Sequence, residues 1–239
     1  MEGFTYTDIF DTKGIEYLVI IAFLLLIIPF WRALNAPLVR KVPVYLREGV
    51  LTEKVLRFLP GLFYGRNHTW LKLEDSGIAR VGLDDLLVHL TGEVNIKQIR
   101  IPGEQVRKND VLAEIGTDGK KLKILSPVSG QVEKLNKKIE RDPGILNKDP
   151  YGDGWMVMIK PSSWFSESRS FFMGKNAVDW ATGELSRIRD FLSNTSGSIT
   201  AGHPVAVLQT GGEIRDEPLR ELPAEIWEKF QETFLDGTG

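Results

Sequence analysis

The 239-residue sequence contains no cysteine. That excludes disulfides, thiolate nucleophiles, iron–sulfur ligation by this chain and cysteine-type zinc sites. Histidine is scarce as well: His68, His89 and His203 are the three present, and no two stand at a metal-ligand spacing. An excess of one charge is missing. With 30 Lys and Arg against 32 Asp and Glu, the net charge of -2 gives no case for nucleic acid as a partner. Gly211-Gly212 has no phosphate-loop pattern around it, and no heptad run marks a coiled coil. Asp84-Asp85 pairs two carboxylates, but neighbours on a helix do not face one another. His68 and His89 suit surface or capping roles better than that of a catalytic base. No nucleophilic triad or metal constellation is present, so the chain is read as a non-enzyme.

One long apolar run does occur. Residues 17–34, from Tyr17 to Leu34, carry Arg32 as their one charge. As a helix they reach about 27 Å, close to the ~30 Å hydrocarbon core of a bilayer. Apolar residues such as Phe23 fall on every face, which does not suit an amphipathic surface helix. Tyr17 and Trp31 fit the two interfaces, and Arg32 can snorkel. The preceding tail, residues 1–16, is acidic and lacks the basic start of a signal peptide. Arg32 stands near the end of the run, and Arg40, Lys41 and Arg47 follow it. Their charge predicts a single-pass anchor in the cytoplasmic membrane, with the bulk of the chain on the cytoplasmic side. Residues 35–62 read as an extended linker containing a short amphipathic helix, Thr52 to Leu59, with Thr52 as its cap.

Downstream the periodicity is that of strands. Apolar residues alternate in Leu122–Leu125 and in Trp155–Ile159, and Gly and Pro clusters punctuate short segments. At the centre, Val111–Ile115 and Leu122–Leu125 flank Asp118-Gly119. Asp-Gly is a strong signal for a two-residue hairpin, because a type I′ turn needs positive φ at both central positions. Ser126-Pro127-Val128-Ser129-Gly130 then ends the second strand and starts another.

Residues 63–161 resemble the glycine cleavage system H protein family. Asn67-His68-Thr69-Trp70-Leu71 is similar to the family's opening H-x-W strand, and Gly77 to Val94 to its G-x-A-x-V-G run. Ile99–Gly103 and Val106–Val111 match the segment before the carrier hairpin. Ser126–Gly130 is the family's S-P-V-S-G, and Leu146–Met156 is close to its V-N-x-D-P-Y-G-x-G-W-L. The resemblance implies a mainly β fold, a barrel-sandwich hybrid of two antiparallel sheets. Here it would carry an N-terminal transmembrane helix and an α-helical C-terminal extension.

The family's lipoyl lysine lies seven residues before the Ser of S-P-V-S-G. Seven residues before Ser126 stands Gly119. Lys120 is next, and a one-residue slip along a strand changes the face and the distance from the turn. No biotinyl M-K-M occurs. The expectation is therefore a domain with no cofactor and no lipoyl group. It would serve as a scaffold or accessory subunit docked on other subunits of a membrane complex, one of redox or electron-transfer type on the strength of the fold's lipoyl-linked ancestry. The alternative is a true lipoyl carrier modified on Lys120.

Residues 162–239 form the extension. Ser162 to Phe172 reads as a polar linker with aromatic anchors, Gly174 to Ser193 as a helix, Asn194 to Gly202 as a loop, His203 to Gln209 as a strand and Pro223 to Leu235 as a second helix. Both helices carry apolar stripes that can pack on their own barrel. Aromatic-rich faces also serve as interface anchors, which makes Trp180, Ile188, Trp227, Phe230 and Phe234 candidate partner contacts.

Overall fold

The computed structural model describes residues 9–35, 49–52, 55–196 and 214–236. The linker before Gly49 and the strand expected at His203 to Gln209 lie outside the described residues. The chain divides into two compact units, Met1–Val44 and Tyr45–Gly239.

The first unit holds helix α1, Ile9–Asn35, with Pro29 inside it and Arg32 in its last turn. Its stretch Gly14–Arg32 is long and apolar enough to cross a membrane. All the side chains in that stretch, including Tyr17, Phe23, Trp31 and Arg32, are exposed within the unit.

The second unit is mainly β. After β1 (Val50–Leu51) come β2 (Phe63–Tyr64), β3 (Thr69–Leu73) and β4 (Ala79–Leu83), then α2 (Asp85–Thr91) and β5 (Asn95–Gln98). Next are β6 (Gln105–Val106), β7 (Val111–Thr117), β8 (Lys120–Leu125) and β9 (Gly130–Leu135). Two short helices, α3 (Lys137–Arg141) and α4 (Ile145–Lys148), lead to β10 (Trp155–Pro161). The extension supplies α5 (Trp164–Glu167), α6 (Gly174–Ser196), β11 (Ile214–Arg215) and α7 (Ala224–Phe230).

Strands 2-3-4-10-9-6 form a six-stranded sheet and 5-7-8 a three-stranded one, with β1 and β11 as a separate pair. Every pairing is antiparallel. The sheets share one core without closing into a barrel. Gly82 on β4 lies under the Trp70 ring, where a Cβ would meet ring atoms at 2.6 Å. The Trp70 Nε1–H donates to the Pro150 carbonyl at 3.1 Å. Asp149 turns the D-P-Y-G segment by accepting from the amides of Gly152 and Asp153.

Three local expectations are corrected. Thr52 to Leu59 is not a helix where it is described: Val55 is in a turn, and Leu56 to Leu59 are irregular. Specific polar contacts override the amphipathic pattern there. The Arg57 amide and guanidinium both bind Asp85 at 2.9 Å, and Tyr151 Oη donates to the Arg57 carbonyl. Ser162 to Phe172 is not a plain linker, because α5 is followed by a 3-10 turn, Ser168–Ser170. Glu167 in α5 accepts from both the amide and the hydroxyl of Ser129, tying the Ser-Pro-Val-Ser-Gly turn to the extension. Asn194 to Ser196 belong to α6, not to a loop.

The extension is built into the core. Leu185, Ile188 and Leu192 of α6 and Ile226, Trp227 and Phe230 of α7 pack in the same cluster as Leu122 and Ile124 of β8. The candidate contacts Ile188, Trp227, Phe230 and Phe234 are thus covered by their own domain. Trp180 is half-buried and stacks on Phe172 with ring planes 9° apart. The stripe is explained by the area it removes from water inside this chain.

Candidate functional site: the β7–β8 hairpin

The hairpin folds as the Asp-Gly pair predicts. Asp118 and Gly119 have φ of 50° and 81°, and Thr117 pairs with Lys120 across the turn. Two residues below the tip, Gly116 faces the opposing backbone, and a Cβ there would sit 2.0 Å from the Lys120 carbonyl oxygen. Gly119 differs. A Cβ there would have nothing within 4 Å, so its constraint is the left-handed backbone and not space.

Lys120 does not project from the tip. Its side chain lies back on the extension, where Nζ donates to the carbonyls of Arg220 and Leu222, the second at 3.3 Å. The same Nζ is 5.7 Å from the centre of the Trp227 ring, a cation–π placement. Lys121 points the other way, toward Glu114 at 3.5 Å. The backbone of Lys123 is bound by a side chain: its amide donates to Gln231 at 2.7 Å, and Gln231 Nε2 donates to its carbonyl at 3.2 Å. A shallow depression of about 220 Å³ beside the hairpin is lined by Asn95, Lys97, Glu114, Asp118 and Lys121. That is smaller than the roughly 300–1,000 Å³ usual for a small-molecule site.

The two described histidines contact the extension. His68 is fully buried, which corrects the expectation of a surface residue. Its Nδ1 lies 2.9 Å from Asp84, and its Nε2 is 3.8 Å from Glu184 of α6, a charge contact beyond hydrogen-bond length. Burial is the largest effect and opposes the charged ring. Asp84 and Glu184 outweigh it and push the His68 pKa up to about 9. For Glu184, burial again opposes the charge, and His68 and Arg187 overcome it to lower the pKa. His89 lies in the last turn of α2, half-buried, with Nδ1 2.9 Å from Asp216 just past β11. Asp84 and Asp85 diverge: Asp84 caps α2 through the Leu87 amide, and Asp85 binds Arg57. Among the described residues, no group of three or more His, Asp or Glu could hold a metal ion.

Sequence reading singled out Gly119 and Lys120, and the structure puts them at adjacent positions of the turn. It missed Gln231, Glu184 and Asp216. Each lies more than a hundred residues from its hairpin or histidine partner, and a single polar residue carries no spacing signal over that distance.

The family model described as "Glycine cleavage H-protein" matches residues 62–182. The probable glycine cleavage system H protein of Thermococcus gammatolerans is 36% identical over 103 residues, covering 43% of this chain and 76% of that protein. Glycine cleavage system H protein 3, mitochondrial, of Arabidopsis thaliana is 37% identical over 105 residues, 44% of this chain and 63% of that protein. A crystal structure of a glycine cleavage system H protein from Mycobacterium marinum aligns at 28% identity with a TM-score of 0.40, covering 44% of this chain and 87% of that one. Residues 1–61 and 183–239 lie outside the family match.

Proposed function

Because this chain belongs to the glycine cleavage H-protein family, we propose that it keeps the family's docking body without the swinging arm. It is a membrane-anchored, non-lipoylated accessory subunit of a larger complex. The observation that carries this reading is the hairpin tip. The tip residue is Gly119, which has no amine, and the neighbouring Lys120 amine is engaged by two carbonyls of its own chain. Acylation at the tip needs a lysine that is presented and free, and the residues here do not fit that need. No transfer step is therefore assigned to the protein.

In this reading α1 is the anchor, single-pass in the cytoplasmic membrane. The basic residues after it keep the β domain on the cytoplasmic side. The partners are other subunits of that membrane complex. A redox role for the complex is supported by the lipoyl-linked ancestry of the fold. Intact-mass measurement of protein purified from membranes tests the central point. The bare polypeptide mass is expected, and a lipoyl adduct on Lys120 overturns the reading. Protease treatment of inverted vesicles should digest the β domain, and full protection would place it on the other side.

A second reading is a lipoyl carrier of glycine cleavage type modified on Lys120. Family membership and the names of the similar proteins favour it. It requires Lys120→Arg to abolish the activity of the complex, whereas the accessory-subunit reading requires that activity to persist.

A further inference from the structure

Lys120 stands where two elements meet. Its side chain leaves the first position of β8 and ends on the carbonyls of Arg220 and Leu222. Those carbonyls close the 3-10 turn Pro218–Glu221. A helical end leaves carbonyls without partners and carries partial negative charge, so a cation is the group that suits it. Trp227 lies beside the same Nζ and donates its own N–H to the Leu219 carbonyl at 2.7 Å, which fixes the ring against that turn. Farther along β8, Gln231 binds Lys123 through both backbone groups. Beyond the apolar packing of Ile226, Trp227 and Phe230 against Leu122 and Ile124, the segment Pro218–Gln231 is thus fastened to the hairpin by one charged contact, one aromatic face and one amide pair.

We infer that Lys120 is a charge-gated clasp: as an ammonium it tightens the segment Pro218–Leu235 on β8 and is shielded by it from acyl transfer, and once acylated it loosens the Arg220–Leu222 end of that segment while the apolar side chains stay packed in the core. The inference rests on Lys120 being unmodified in the resting protein. The donor would be an acyl adenylate, an acyl thioester or an active ester. The amide bond forms at Nζ as the donor's acyl–oxygen or acyl–sulfur bond breaks. The ammonium gives up two protons, one to the leaving group and one to solvent. What remains is a neutral nitrogen with one N–H. It has too few donors for two carbonyls and no charge for the Trp227 face.

The full chain in detergent is treated briefly with N-hydroxysuccinimidyl acetate, and each lysine is followed by peptide mass mapping. Lys120, half-buried and held by two carbonyls, should react roughly tenfold more slowly than its exposed neighbour Lys121. Equal rates overturn the shielding. Hydrogen exchange of residues 218–235 is then compared in Lys120→Gln and Lys120→Arg. Faster exchange in Lys120→Gln with near-normal exchange in Lys120→Arg supports the charge gate. Unchanged exchange in Lys120→Gln overturns the clasp, and an equal rise in both variants overturns its dependence on charge. Intact mass taken before labelling separates the two proposals. A chain already acylated at Lys120 sinks the unmodified-subunit reading and the resting clasp together, whereas failure of the exchange test with a bare Lys120 sinks the clasp alone.

Discussion

Gly116 and Gly119 sit in one hairpin under different constraints. A Cβ at Gly119 meets nothing, so Gly119→Ala suffers only the left-handed backbone, about 1–2 kcal/mol. At Gly116 a Cβ runs into the Lys120 carbonyl, so Gly116→Ala must part the strands. Thermal melts should show a modest drop for Gly119→Ala and a larger one for Gly116→Ala. The reverse order would be at odds with this turn. His68 supplies a pH prediction. Its pKa rises from an ordinary 6.5 to about 9 on folding, a linkage on the order of 3 kcal/mol. A raised folded pKa means the stabilisation is complete below about pH 6.5 and fades as pH climbs through about 9. Glu184 works from the other side. Its lowered pKa stabilises above an ordinary 4.5 and is lost as pH falls through its folded value. Urea midpoints measured from pH 5 to 10 should therefore decline on the alkaline side, and His68→Gln should be weaker at neutral pH with that decline flattened.

Among the elements, the hairpin was the most legible from sequence, because its turn is written in two adjacent residues. The strands flanking it followed from alternation, and residues 17–34 of α1 from one apolar run, while the polar first turns of that helix, from Ile9 to Glu16, read as tail. The helices of the extension were legible as helices but not in their packing. A stripe of Ile188, Trp227 and Phe230 declares a surface to be covered without saying by what. Here β8 and the sheet core cover it. Trp227→Ala should then behave as a core truncation, costing about 3–5 kcal/mol in urea denaturation. A loss near zero would mean that α7 does not depend on that ring. The stretch Thr52 to Leu59 shows the opposite failure. Its apolar spacing suited a helix, but local propensity is a weak prior. The Arg57–Asp85 pair and the Tyr151 hydroxyl, both made to distant residues, hold it in an irregular path.

For the whole molecule, the division at Val44–Tyr45 assigns the apolar helix and the β domain to separate units. The buried residues that build the β domain's core all lie at or beyond Leu51. A chain beginning at Tyr45 should leave the membrane fraction and keep the urea midpoint of the full protein, as cell fractionation and circular dichroism can check. A truncated chain that unfolds or stays with membranes would contradict this independence. The family match ends inside α6, yet the core continues through Leu235. The extension therefore counts as part of the folding unit.

The Gln231 contact bears on how copies of the protein tolerate one another. β8 is an edge strand of its sheet, and its Lys123 backbone would otherwise offer a ladder position to any passing strand. At high local concentration, open edges nucleate aggregation. One glutamine side chain occupies both hydrogen-bonding groups of that residue. At that position the ladder site is taken by the chain's own side chain. Crowding could otherwise turn this hairpin into a seed for self-assembly.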